Sequence, residues 1–135
     1  VTVEPGAPGD FTIDCTGDVV AGDTILFAEA VFAGSYRRPR FVGERRVAAR
    51  VLRDGYGGAK QQHSFTLEIL WSDGVEPLAA GARTVRKGRN LYRRGTRRLP
   101  WPDESARRAA ADEKHVRGDA ARAARELRRA EEEWR

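Results

Sequence analysis

The chain reads as an α+β protein, in which a small antiparallel β-barrel or twisted sheet of five to six strands fills residues 1–101 and a C-terminal amphipathic helical tail fills residues 102–135. Three observations carry this. Short apolar or alternating segments separated by Gly/Asp turns recur through the first 100 or so residues. Pro100 and Pro102 then flank Trp101, where neither proline can donate to a sheet. Beyond Asp103 the composition changes to Ala, Arg and Glu with almost nothing β-branched. At 135 residues there is room for one ordinary domain and not two.

The elements follow in order. Phe11 to Cys15 is a short first strand. Ala21-Gly22-Asp23 is a turn signal ahead of Thr24 to Phe32, an apolar run of strand length. Gly43 to Arg46 leads into Val47, Ala49 and Val51, which alternate with Arg46, Ala48, Arg50 and Leu52 as in a half-buried strand. Asp54 to Gly58 supplies turn chemistry. His63, Phe65, Leu67, Ile69 and Trp71 then alternate with Ser64, Thr66 and Glu68, the clearest strand signature in the chain. Ser72-Asp73-Gly74 closes it, a strand around Arg83 to Val85 follows Ala80-Gly81-Ala82, and a last strand is expected around Asn90 to Arg93. In the tail, Asp103 or Ser105 can cap a helix. Ala109, Glu113, Val116, Ala120, Ala123, Leu127, Ala130 and Trp134 form a thin heptad-like stripe. Glu113 with Arg117 and Glu131 with Arg135 stand at the spacing of supporting ion pairs, and Gly118 predicts a break.

Charge is sorted into blocks. Residues 1–36 carry six acids and no Lys or Arg, residues 37–101 carry a net +11, and residues 102–135 are balanced, giving +5 in all. Arginine outnumbers lysine 22 to 3, a bias expected of a GC-rich genome, so it is the distribution that informs. Residues 83–98 hold Arg83, Arg86, Lys87, Arg89, Arg93, Arg94, Arg97 and Arg98 without one acid. Interleaved with them are Asn90, Tyr92 and two glycines, a mixture that suits nucleic acid. Arginine forks meet phosphate oxygens, an amide reads a base edge, and a phenol stacks on an unpaired base. Tyr36, Arg37, Arg38 and Arg40 make a second basic loop. The opposing reading is that these cations are solvated charges guarding strand edges and matching the acids of the first block.

Other function classes have little support. A phosphate loop, a dinucleotide fingerprint, a zincin helix and a nucleophile elbow are all absent from the sequence. Asp54 and Glu68 have the spacing of a paired-acid nuclease, but Leu70 stands where its lysine belongs. An enzyme site assembled from Glu44, Asp54, His63 and Glu68 is the least favoured reading. Cys15, the single cysteine, sits among acids that raise a thiol pKa, and it reads as structural. One Cys and two His supply no recognisable metal site, and no cofactor is implied. No apolar run reaches the roughly 20 residues of a membrane span, no signal peptide is recognisable at Val1 to Pro5, and a cytoplasmic setting is expected.

The phrase Val20-Ala21-Gly22-Asp23-Thr24-Ile25-Leu26-Phe27, with the strands Val47 to Leu52 and Ser64 to Trp71, resembles the strand entries of PUA-like and ASCH-like RNA-associated barrels. It covers at most residues 18–95. The ASCH-type Gly-x-Lys-x-x-Glu-x-Arg signature is missing, since Gly43-Glu44-Arg45-Arg46 does not match it, and no site residue is carried over. Through Arg38 to Arg45 and Arg86 to Arg93 the chain is also similar to small basic actinobacterial proteins of unassigned function, which implies an origin rather than an activity. The leading expectation is a noncatalytic nucleic-acid-binding module with two basic loops, DNA or RNA being its partner. The rival is an assembly module that self-associates or docks a protein through residues 103–135.

Overall fold

In the computed structural model, which describes residues 6–57 and 62–134, a 3-10 turn at Pro8–Asp10 precedes six strands and two helices. The strands are β1 (Ile13–Asp14), β2 (Thr24–Ser35), β3 (Arg38–Gly57), β4 (Gln62–Gly74), β5 (Arg83–Lys87) and β6 (Thr96–Arg98). The helices are α1 (Gly88–Leu91), between β5 and β6, and α2 (Glu104–Glu133). The strands form one antiparallel sheet in the order β1-β6-β2-β3-β4-β5. It stays open, with β1 and β5 as its edges, so the expected twisted sheet is formed and a closed barrel is not.

Alternation builds the core. Ile25, Phe27 and Val31 of β2, Val47, Ala49 and Val51 of β3, and Phe65, Leu67 and Ile69 of β4 are all buried. The register sets Phe27 opposite Val47, Ala49 opposite Ile69 and Val51 opposite Leu67, which gathers these side chains on one face. Each full burial of this kind is worth about 1.5–3 kcal/mol. In the sequence the apolar stripe runs on to Trp71, but the ladder skips Leu70 between Ile69 and Trp71 and pairs Trp71 with Ala48. That irregularity moves the indole to the other face, where its Nε1 donates to Gly6 O at 3.0 Å.

Two local expectations are corrected. The strand expected at Asn90 to Arg93 is instead the single turn α1, because Leu91 drops fully into the core from a helical turn. Gly88 packs close there, a Cβ at this position lying 3.4 Å from that of His63. The final strand comes later, at β6. Likewise β3 runs through the expected turn residues Asp54 and Gly55, and β2 and β3 extend to Ser35 and from Arg38, so the second basic loop is the tip of a long hairpin. Gly58 of the expected turn lies outside the described residues.

The chain forms two compact units, Val1–Pro102 and Asp103–Arg135. In the second, Asp103 caps α2, its carboxylate accepting from Ser105 N at 2.9 Å. The helix passes unbroken through Gly118. Strong helix formers on both sides outweigh a glycine penalty of about 1 kcal/mol. The Glu113–Arg117 pair forms at 3.3 Å, while Arg135 of the second expected pair lies outside the described residues. No helix among the described residues is long and apolar enough to cross a membrane.

Candidate nucleic-acid interface

The basic segment wraps one groove of about 500 Å³ on the first unit. Six cations line it, namely Arg45, Arg86, Lys87, Arg89, Arg93 and Arg94, against the single carboxylate of Glu29. Asn90 adds an amide, and Ala30, Phe32 and Val85 form an apolar wall. The elements explain the convergence. β5 delivers Arg86 and Lys87, α1 carries Arg89 and Asn90, and α1 lies against β2, β4 and β5, which brings the cations over Glu29.

Glu29 organises the floor. It occupies a core-facing position of β2, in step with Ile25, Phe27 and Val31, yet it is charged. Arg45 Nε donates to it at 2.7 Å, and Arg86 donates through Nε at 2.8 Å and Nη2 at 3.1 Å. Burial pushes the Glu29 carboxyl up, but the hydrogen bonds from Arg86 and Arg45 outweigh it and hold the pKa below its ordinary value. The guanidiniums are fixed in turn, Arg45 by Glu76 O at 2.9 Å and Arg86 by Thr84 Oγ1 at 2.6 Å. Arg94 reaches Glu44 at 2.9 Å. Lys87, Arg89 and Arg93 are exposed and make no ion pair among the described residues.

The remaining sequence candidates are dispersed. Tyr36 and Arg37 stand at the exposed tip of the β2–β3 hairpin, Tyr36 about 13 Å beyond Phe32 at strand rise, while Arg38 lies opposite Ser35 and Arg40 opposite Ala33, one position beyond Phe32. Arg83 is exposed and pairs in register with Glu68. Arg97 is exposed beside Asp14 and lines a second hollow of about 310 Å³ with Arg46 and Arg94. Two candidates are corrected. Arg98 is buried in β6, with Nη1 donating to Leu99 O at 3.3 Å, and offers no surface cation. Tyr92 is packed edge-on against Phe65 at 5.9 Å and accepts Val19 N–H at 3.1 Å, so its ring is not presented to a base. Burial pushes its phenol up to about 12.

The acids of the first block mostly serve the fold. Asp14 closes a turn on Thr16, and buried Asp23 accepts from Val20 N at 3.0 Å and Trp101 Nε1 at 2.7 Å. The loose carboxylate constellation is not assembled either. Glu44 and Asp54 lie ten residues apart on β3, about 30 Å at strand rise, and Asp54 accepts from Ala21 N at 2.8 Å. Among the described residues no group of three or more His, Cys, Asp or Glu could hold a metal. Sequence reasoning missed Glu29, Arg45 and Phe32 as groove residues. For Glu29 the signal was present, since a carboxylate in step with three buried apolar residues needs cationic partners.

Comparison with known proteins adds a family. Residues 15–101 match the family described as Domain of unknown function (DUF7699). The chain belongs to this family. Every groove residue of the DUF7699 domain falls inside the matched span. A rice protein (Oryza sativa subsp. japonica) named Zinc finger CCCH domain-containing protein 62 is 43% identical over 123 residues, covering 87% of this chain and 18% of the rice protein. The chain thus spans under a fifth of the length of that relative. With one cysteine, it carries no CCCH ligand set within its own 135 residues. No solved structure matches. Neither match supports the resemblance to actinobacterial proteins or to PUA-like barrels.

Proposed function

We propose that this DUF7699 domain is a noncatalytic nucleic-acid-binding module whose groove grips phosphates. The observation that carries the reading is the imbalance of the groove. Six cations line the groove with one carboxylate; that carboxylate orders two of them and Glu44 holds Arg94, leaving Lys87, Arg89 and Arg93 to meet an anion. A ligand meets a pre-arranged floor, which lowers the entropy cost of ordering long side chains. The rice relative is named for a CCCH zinc finger, which these 135 residues do not contain, so the reading rests on the groove. Lys87, Arg89, Arg93 and Arg94 are the groove contacts, Asn90 the candidate for a base edge, and Arg37, Arg38 and Arg40 an outlying second contact on the arm.

Fluorescence anisotropy of labelled oligonucleotides, titrated across salt from about 50 to 200 mM, tests this. Binding should weaken steeply with salt. Replacing Lys87, Arg89 and Arg93 together by alanine should lower the slope of log K against log salt by about 2 on single strands, at about 0.7 for each phosphate no longer neutralised. An unchanged slope rejects the groove as the site.

One observation favours a second reading. Val116, Leu127 and Trp134 of the α2 stripe are 67%, 65% and 91% exposed, which suits self-association or a protein partner through residues 103–135. Sedimentation of the full chain decides between them, since a monomer that binds nucleic acid leaves the stripe without a self-assembly role.

A further inference from the structure

The β2–β3 hairpin outruns its neighbours. β6 pairs with β2 only at Ile25 to Phe27, and β4 reaches no further along β3 than Arg45. From Phe32 outward the two strands pair only with each other among the described residues, forming an arm. A bulge at its root passes over Val42 and sets Phe41 opposite Phe32. The rings meet edge-on, centroids 6.0 Å apart, and yet are 58% and 56% exposed. Phe32 also forms part of the groove wall beside the unpaired cations. Two large aromatics left in water on one ribbon, next to a cationic track, are not accounted for by packing.

We propose that the groove takes a single-stranded nucleic acid, its phosphates on Lys87, Arg89 and Arg93 and its bases stacked on Phe32 and Phe41; this rests on the phosphate-gripping reading above. In a duplex the base faces are already occupied by one another, and a phenyl ring has no polar atom with which to read a groove edge. Unpaired bases offer their faces, and stacking on phenyl rings tolerates any sequence. Arg37, Arg38 and Arg40 lie further out on the same arm and continue the cationic track past the rings. The polarity of the lining selects this partner over an apolar one, because an apolar segment would strand the three unpaired cations.

The test is anisotropy with a labelled strand of about 12 nucleotides, as RNA and as DNA, alone and annealed to its complement. The wild-type 135-residue chain is compared with F32A/F41A, F32L/F41L and F32W/F41W. Leucine keeps apolar bulk without a π face, and far-UV circular dichroism confirms folding. The single strand should bind more tightly than its duplex. The alanine and leucine pairs should each weaken single-strand binding about tenfold or more while leaving duplex binding unchanged, and the tryptophan pair should restore it. A leucine pair that binds like wild type, or a duplex bound as tightly as the single strand, overturns the inference while steep salt dependence still upholds the phosphate reading. Absence of salt-dependent binding to every form overturns both.

Discussion

At the scale of single residues, Glu29 decides what the groove is. A carboxylate at a core-facing position is costly without partners, and here the partners are two arginines that would otherwise repel each other over a half-buried floor. Replacing it with glutamine removes the attraction and leaves both guanidiniums beside a neutral amide. Glu29→Gln should cost about 2 kcal/mol in urea unfolding at neutral pH. The sign of its pH dependence follows from the depressed pKa. The unfolded chain takes up this proton first, so the stabilisation is full above the ordinary carboxylate range and is lost as pH falls through the folded value. The gap between wild type and variant should therefore be widest near neutrality and close in acid, and a gap independent of pH would deny the ion pairs their role. Tyr92 teaches the opposite lesson. Its place in a cationic run suggests a binding aromatic, but its neighbours in space are Phe65 and Val19, both distant in sequence.

Among the elements, period and punctuation were enough to find the strands but not their irregularities. Val47 to Leu52 and Phe65 to Ile69 were legible because every second residue is apolar and buried, whereas the skip at Leu70 depends on pairing that no single strand encodes. The arm was hidden for the same reason. Residues 34–40 contain Gly, Ser and Pro and read as a loop, yet they pair with one another as a ribbon. Its root rests on Gly43, which has φ of +143° and lies so close to Val75 that a Cβ would meet Cγ2 at 2.7 Å. Gly43→Ala should therefore destabilise the protein by about 1–2 kcal/mol, part from backbone strain and part from the clash. Adding Val75→Ala should return the steric part alone, a coupling that a double-mutant cycle in urea measures. Full additivity would mean that the two side chains do not meet.

For the whole molecule, the charge blocks were visible in the sequence, but their placement was not. Among the described residues, the acids of the first block do not act as a unit. Asp14 and Asp23 are drawn into turns, and among the described acids of the block Glu29 is the one that lines the groove. Within residues 37–101, which carry a net +11, Arg45 and Arg86 are held by Glu29 and Arg98 is buried, while Lys87, Arg89 and Arg93 reach solvent with no ion pair among the described residues. Residues 102–135 carry nine cations and nine anions and add no net attraction for a polyanion. Every member of the main core cluster also lies between Cys15 and Tyr92. A chain ending at Pro102 should then keep the far-UV signature of the sheet and bind a single strand with the salt slope of the full chain, because slope counts phosphates neutralised and the groove cations are all retained. If the slope falls by one or more, some of the nine cations of the helical unit touch the backbone as well. If instead the full chain is a dimer and the shortened one a monomer, while both bind alike, the Val116, Leu127 and Trp134 stripe serves assembly and the groove serves the nucleic acid.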